Sequence, residues 1–226
     1  AQYTRYQFHH ATNATYLTPL LIPQPRAIVE RAVIGRWLIW HGLLTEFVTS
    51  ELTLPPLEAT NVWRGLRAVA EQRSAPTSPL GTALNDIVAN LARLSHVTPA
   101  DRTLVGIATG RLLDGLARRY EWQHRAEQPA PEYVTKALIN STGVYGIIAL
   151  LSALRGWRLA ELLPNHPARK AMELVEHAAW SVQQPPSDAQ SVIQVQTALQ
   201  ALANERHEFA HWMLNLIEGY RTWATL

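Results

Sequence analysis

The apolar positions of this chain recur at three- and four-residue steps almost everywhere, which is the period of an amphipathic helix. The clearest case begins at Pro25, because proline is well suited to the first position of a helix. Its apolar stripe continues through Val29, Val33, Trp37, Trp40, Leu44 and Phe47. No segment alternates with the two-residue period of a strand, so the pattern predicts an all-α fold.

Further segments carry the same period, and proline-rich stretches separate them. Helices are predicted over 59–72, 80–94, 99–127, 132–154 and about 165–183, with a last one after Pro185-Pro186. The start at 98–101 combines a threonine cap, a first-turn proline and a carboxylate near the positive helix end. A short turn is predicted from Trp157 to Leu163. We therefore expect one all-α domain, a helical bundle or barrel over 25–226, preceded by an N-terminal arm over 1–24.

One uncharged stretch, between Lys136 and Arg155, is long enough to be tested as a transmembrane span. Its first half contains Asn140, Gly143 and Gly146, which make it too polar and too weak in helix propensity for lipid. The pattern predicts a buried helix with a break near Gly143, and no transmembrane segment. The polar first residues lack the apolar core of a signal peptide, so we expect a cytoplasmic protein. The chain begins with alanine and not methionine, which leaves open that further sequence precedes it.

Charge and composition exclude several classes of function. Lys and Arg total 20 and Asp and Glu total 18, a net charge of +2, so no basic surface for a nucleic-acid partner is indicated. The absence of cysteine excludes a disulfide framework, a thiol nucleophile and zinc sites built on thiolates.

The segment His207-Glu208-Phe209-Ala210-His211 matches the H-E-x-x-H pattern of zinc hydrolases. Histidines at i and i+4 share a helix face and can hold zinc, with the glutamate as general base. A catalytic site needs a third protein ligand, and no histidine follows His211. The alternative interpretation is a solvated polar face of a helix.

Five segments together resemble the bacterial class I terpene synthases. PTSPLGTALNDI (76–87), YEWQHRAEQPAPEYV (120–134) and STGVYGIIALL (141–151) are similar to framework blocks of that family. NHPARKAMELVEHAAW (165–180) and NLIEGYRTW (215–223) are similar to later blocks, in the same order. The resemblance implies the all-α isoprenoid synthase fold around an apolar pocket. It also implies a prenyl diphosphate substrate held by three Mg²⁺ ions and guided by aromatic side chains.

The chain departs from that family wherever the family binds metal and diphosphate. The aspartate-rich block should fall within 37–50, where only Glu46 remains as a ligand candidate. The second metal motif should follow Trp180, but the ligand positions there hold Val182, Pro186 and Gln190. Lys136 is the cation nearest to the expected sensor arginine, and the chain stops about where the Arg-Tyr pair of the family would begin. One glutamate cannot hold three divalent ions.

Three hypotheses follow. The first is a non-catalytic relative of the family that needs no cofactor. It either binds an apolar or isoprenoid-like molecule in the apolar pocket that the resemblance implies, or serves as an oligomeric or assembly subunit with a protein partner. The second is a divergent Mg²⁺-dependent isoprenoid enzyme that uses Glu46, Lys136, Glu173 or Glu176. The third is a zinc hydrolase that uses His207, Glu208 and His211. The residues expected to line the cavity are Trp37, Trp40, Leu44, Phe47, Asn140, Gly143 and Val182.

Overall fold

The computed structural model describes residues 28–49, 54–123 and 129–162, together with 169, 172–177, 197, 211 and 213. Within these residues the chain is helical and contains no strand, which confirms the all-α class. The predicted arm over 1–24 lies outside the described residues. The helices are α1 (Ile28–Thr49), α2 (Pro56–Ala70), α3 (Pro79–Ala92), α4 (Pro99–Gln123), α5 (Pro131–Ser141), α6 (Val144–Arg155) and α7 (Leu159–Leu162).

Side-chain caps open two of the helices, and the cap at Thr98 is the one that the sequence predicts. Ser78 precedes α3, and its hydroxyl accepts a hydrogen bond from the Gly81 N–H at 3.1 Å. At the start of α4 the Thr98 hydroxyl accepts from the Asp101 N–H at 3.2 Å, and Asp101 Oδ2 accepts from the Thr98 N–H at 3.0 Å. This reciprocal pair satisfies two backbone donors that a helix start would otherwise leave open.

Both boundaries of α2 differ from the prediction. α2 begins at Pro56, three residues early, because a proline at the first helical position needs no hydrogen-bond partner for its nitrogen. It ends at Ala70, two residues early, because Gln72 turns the chain out of the helix with a φ of 56°. The predicted turn over Trp157–Leu163 also contains the short helix α7. Its first N–H, from Leu159, donates to the buried Ser152 hydroxyl at 3.0 Å.

The long helix α4 forms the centre of the bundle and contacts α1, α2, α3, α5, α6 and α7. Small residues let its neighbours come close. A Cβ at Gly106 would lie 2.9 Å from the Ala70 carbonyl oxygen of α2, and a Cβ at Gly115 would lie 2.8 Å from the Ala137 carbonyl oxygen of α5. Contacts this short exist only because glycine has no side chain, so these two glycines set the spacing of three helices.

The predicted helical break near Gly143 is confirmed. α5 ends at Ser141, Gly143 adopts a left-handed φ of 71°, and α6 begins at Val144. Pro131–Arg155 as a whole is long and apolar enough to cross a membrane, but 78% of its apolar window is buried inside the protein. That degree of burial is what the core helix of a globular domain shows, and it makes the membrane interpretation weak.

Tyr120, near the end of α4, forms hydrogen bonds to the segment that connects α1 and α2. Its hydroxyl accepts a hydrogen bond from the Leu54 N–H at 2.7 Å and donates to the Leu54 carbonyl oxygen at 3.2 Å. We expect Tyr120→Phe to lower the free energy of unfolding by about 1–2 kcal/mol, because it leaves two partly buried backbone groups without this partner. Chemical denaturation measures the change. Tyr133→Phe is the control, because the Tyr133 side chain is exposed. An equal loss of stability in both variants would contradict a stabilising role for the hydrogen bonds between Tyr120 and Leu54.

Candidate functional site

A group of polar side chains meets inside the bundle where α5 gives way to α6. Arg111 of α4 lies at its centre and donates to the Asn140 amide oxygen at 3.2 Å. The same nitrogen donates to the two carboxylate oxygens of Glu176 at 3.1 and 3.2 Å. The guanidinium carbon also lies 4.3 Å from the centre of the Tyr145 ring. We call Arg111, Asn140, Tyr145 and Glu176 the Arg111 cluster.

Burial dominates the electrostatics of the Arg111 cluster. Burial raises the pKa of the Glu176 carboxyl above its ordinary value, and the nearby Glu173 raises it further, while the charge and hydrogen bond of Arg111 lower it. Burial likewise raises the pKa of the Tyr145 hydroxyl. The Glu176 side chain is 4% exposed and that of Arg111 is 37% exposed. A nearly inaccessible carboxylate is therefore held by a cation that still reaches solvent.

A second set of contacts lies at Ser141, the last residue of α5. The Ser141 carbonyl oxygen accepts a hydrogen bond from His41 Nε2 at 3.0 Å, so this ring nitrogen carries a proton. The Ser141 hydroxyl accepts from Arg119 Nη1 at 3.0 Å and donates to the Leu138 carbonyl oxygen at 2.8 Å. The end of α5 is thereby fixed from α1 and from α4.

Trp37 fills the space beside the break. A Cβ at Gly143 would lie 2.8 Å from its ring, and a Cβ at Gly146 would overlap that ring. The ring centre lies 5.3 Å from that of His41 and 6.4 Å from that of Trp40. Trp40 Nε1 donates to the Leu80 carbonyl oxygen at 3.0 Å, whereas Trp37 Nε1 has no hydrogen-bond partner among the described residues. Two glycines thus make room for one large ring.

The residues expected to line a cavity differ in burial. Trp37, Trp40 and Leu44 are 1%, 1% and 0% exposed and belong to the core. Phe47 is half-buried and stacks on Tyr120, with ring centres 5.8 Å apart. Asn140 is half-buried, Gly143 is buried, and Val182 lies outside the described residues. That these side chains line a ligand cavity stays a prediction.

The residues considered for catalysis do not share one environment. Glu46 is half-buried on α1, and Lys136 is exposed on α5. Glu173 is exposed and Glu176 is buried, although their spacing predicts a common helix face. The helical turn places Glu173 at the edge of that face, close enough to act on Glu176 through its charge. Among the residues that the structure describes, no three His, Asp or Glu side chains are placed to hold a metal ion.

The zinc motif is described only in part. His207 and Glu208 lie outside the described residues, and His211 is helical and exposed. The zinc hypothesis stays a prediction.

Sequence reasoning missed Arg111 as a site residue. One signal was present, since an arginine interrupts a run of small and apolar residues in α4. Its partner Glu176 lies 65 positions later, and only the tertiary structure pairs the two.

Comparison with known proteins identifies the fold and nothing finer. No protein-family model matches the sequence, and no curated protein is similar enough to match. Among solved structures, a mutant of the SVS_A2 protein from ancestral sequence reconstruction matches with a TM-score of 0.72 and 16% identity over 95% of this chain and 75% of that one. The SVS_A2 protein without a named mutation matches with a TM-score of 0.67 and 16% identity, over 86% of this chain and 72% of that one. The chain therefore shares the all-α fold of the SVS_A2 protein.

Proposed function

We propose that this chain is a terpene-synthase-like protein of the isoprenoid synthase type that has lost the magnesium-diphosphate site. It acts without catalysis and without a cofactor, as a structural or assembly subunit or as a binder of an apolar small molecule in the cytoplasm. The Arg111–Glu176 pair carries the proposal. A carboxylate that holds Mg²⁺ must turn its oxygens toward the metal ion. Here one nitrogen of Arg111 donates to both oxygens of Glu176, so the guanidinium competes with a metal ion for them.

The pair engages both the Arg111 guanidinium and the Glu176 carboxylate, two groups that could otherwise bind a diphosphate and its metal ions. A guanidinium is a natural partner of a diphosphate, and a carboxylate is a natural partner of a metal ion. Here each neutralises the other inside the bundle. The region where the resembled family carries paired aspartates adds only the half-buried Glu46. This arrangement supports a protein whose interior charges stabilise the fold.

The packing favours the structural use over the ligand-binding use. A side chain that lines a cavity wider than a water molecule exposes surface to that cavity. Trp37, Trp40 and Leu44 are 1%, 1% and 0% exposed, so protein atoms surround them. The aromatic side chains expected around a ligand instead fill the centre of the bundle.

One observation favours the alternative of a divergent isoprenoid enzyme. Glu176 is buried with a raised pKa, and such perturbed groups are common in active sites. In that case Glu176 would exchange Arg111 for Mg²⁺ when a prenyl diphosphate binds, with Glu46 as a second ligand.

Calorimetric titration with farnesyl diphosphate, with and without Mg²⁺, tests the proposal. We expect no binding that depends on Mg²⁺, because the interior carboxylate is already paired. Mg²⁺-dependent binding that Glu46→Gln weakens and the exposed-site variant Glu58→Gln leaves intact would support the divergent enzyme and overturn the proposal. A parallel titration with an apolar fluorescent dye separates the two uses: saturable binding at one site would favour a ligand binder over a structural subunit.

A further inference from the structure

Arg119 of α4 is a half-buried arginine, and no acid among the described residues pairs with its charge. Its Nη1 donates to the Ser141 hydroxyl at 3.0 Å, and a hydroxyl carries no charge. Within the described part of the chain, no carboxylate lies within ion-pair distance of Arg119. Burial lowers the pKa of the Arg119 guanidinium.

Two other arginines that the structure places partly inside the bundle have acidic partners, whereas Arg102 has none within the described residues. Arg111 pairs with Glu176 at 3.1 Å, and Arg155 lies 3.5 Å from Glu30. Removing a charged group from water is unfavourable unless a partner replaces the lost hydration. Arg119 differs from Arg111 and Arg155 in this respect. Its neighbour Arg118 is exposed, so water solvates that charge.

Within the described residues, only one of the side-chain donors of Arg119 has a hydrogen-bond partner. A guanidinium has five N–H donors in a planar fork that fits a carboxylate or phosphate group. The Ser141 hydroxyl takes one of them. Ser141 ends α5, and the negative end of a helix dipole offsets only part of one unit charge.

We propose that Arg119 is the anchor of an oxyanion site beside the end of α5, with the Ser141 hydroxyl as its fixed neighbour. The occupant carries a carboxylate or a phosphate group, because both present paired oxygens to the guanidinium fork. This site shares no side chain with the Arg111 cluster and does not depend on the proposed function.

Thermal unfolding with sodium phosphate, sodium acetate or sodium chloride at equal ionic strength and pH tests the site. We expect phosphate or acetate to raise the melting temperature above that in chloride, and the more effective anion identifies the chemistry of the occupant. Arg119→Gln should weaken the apparent affinity at least about tenfold, the effect of losing hydrogen bonds from a charged donor. Arg118→Gln, on the same helix, should keep the wild-type response.

Two results would overturn the proposal. One is a wild-type melting temperature that is the same in all three salts. In that case the only role of Arg119 would be its hydrogen bond to Ser141 at the end of α5. The other is an anion response that Arg119→Gln retains. If Arg119→Gln does not fold, wild-type crystals soaked in selenate give a direct answer from anomalous scattering: selenate within hydrogen-bond distance of the Arg119 guanidinium supports the site, and its absence there contradicts it.

Discussion

Gly146→Ala should destabilise the protein by about 2 kcal/mol, although alanine is the better helix former. Gly146 lies inside α6, and its missing side chain leaves the space that the Trp37 ring occupies. A Cβ there would overlap the ring, which is itself enclosed by Trp40 and His41. The ring cannot move away without displacing these neighbours, so strain outweighs the gain in helix propensity.

Gly65→Ala is the matched control for this prediction. Gly65 lies in the interior of α2, and a Cβ there would meet nothing within 4 Å. This variant should therefore stabilise the protein by about 0.5–1 kcal/mol. Urea denaturation of both variants gives the comparison. A stabilisation by Gly146→Ala similar to that of Gly65→Ala would show that Trp37 does not press on α6.

The second large effect is expected at the Arg111 cluster. Arg111→Met should lower the free energy of unfolding by about 3 kcal/mol at neutral pH, because it leaves the Glu176 carboxylate buried without its cation. This is the lower end of the range for broken buried pairs, since the Arg111 side chain is 37% exposed. The double variant Arg111→Met/Glu176→Leu should recover much of the loss, because it removes the stranded charge.

The destabilisation by Arg111→Met should depend on pH with a definite sign. Arg111 lowers the pKa of Glu176, so its removal raises that pKa further above the ordinary value. A carboxyl whose folded-state pKa is raised favours the folded state below its unfolded pKa, and this contribution is lost as pH rises through the folded pKa. The variant should therefore be closest to the wild type in acid and furthest from it at neutral pH.

Denaturation at several pH values measures this dependence, with Arg118→Met as the control for loss of a surface charge on the same helix. A difference between Arg111→Met and the wild type that stays constant from acid to neutral pH would contradict the role of Arg111 as the partner of Glu176.

Local signals in the sequence were enough to predict where most of the described helices occur. Ser78, Thr98 and the first-turn prolines determine helix starts through their own backbone geometry, and Gly143 ends a helix because it readily adopts a positive φ. The ends were less predictable. Gln72 leaves α2 with a positive φ that its residue type does not require.

The candidate site could not be predicted from local signals. Lys136 was the cation expected near the site, but Ala137 and Ser141 occupy the buried face of α5, and Lys136 lies on its exposed side. The cation that is present, Arg111, comes from another helix and meets Glu176 only through tertiary packing. The paired positions of Trp37 and Gly146 likewise belong to two helices, and neither residue alone indicates the other.

We have proposed that this all-α protein, whose sequence resembles terpene synthases, carries out no prenyl diphosphate chemistry. Incubation of the purified protein with geranyl, farnesyl and geranylgeranyl diphosphates and Mg²⁺, followed by gas chromatography and mass spectrometry, tests it most directly. We expect no cyclised or ionised product above that of a heat-denatured control. A terpene product that forms only with Mg²⁺ and is lost in Glu176→Gln would contradict it.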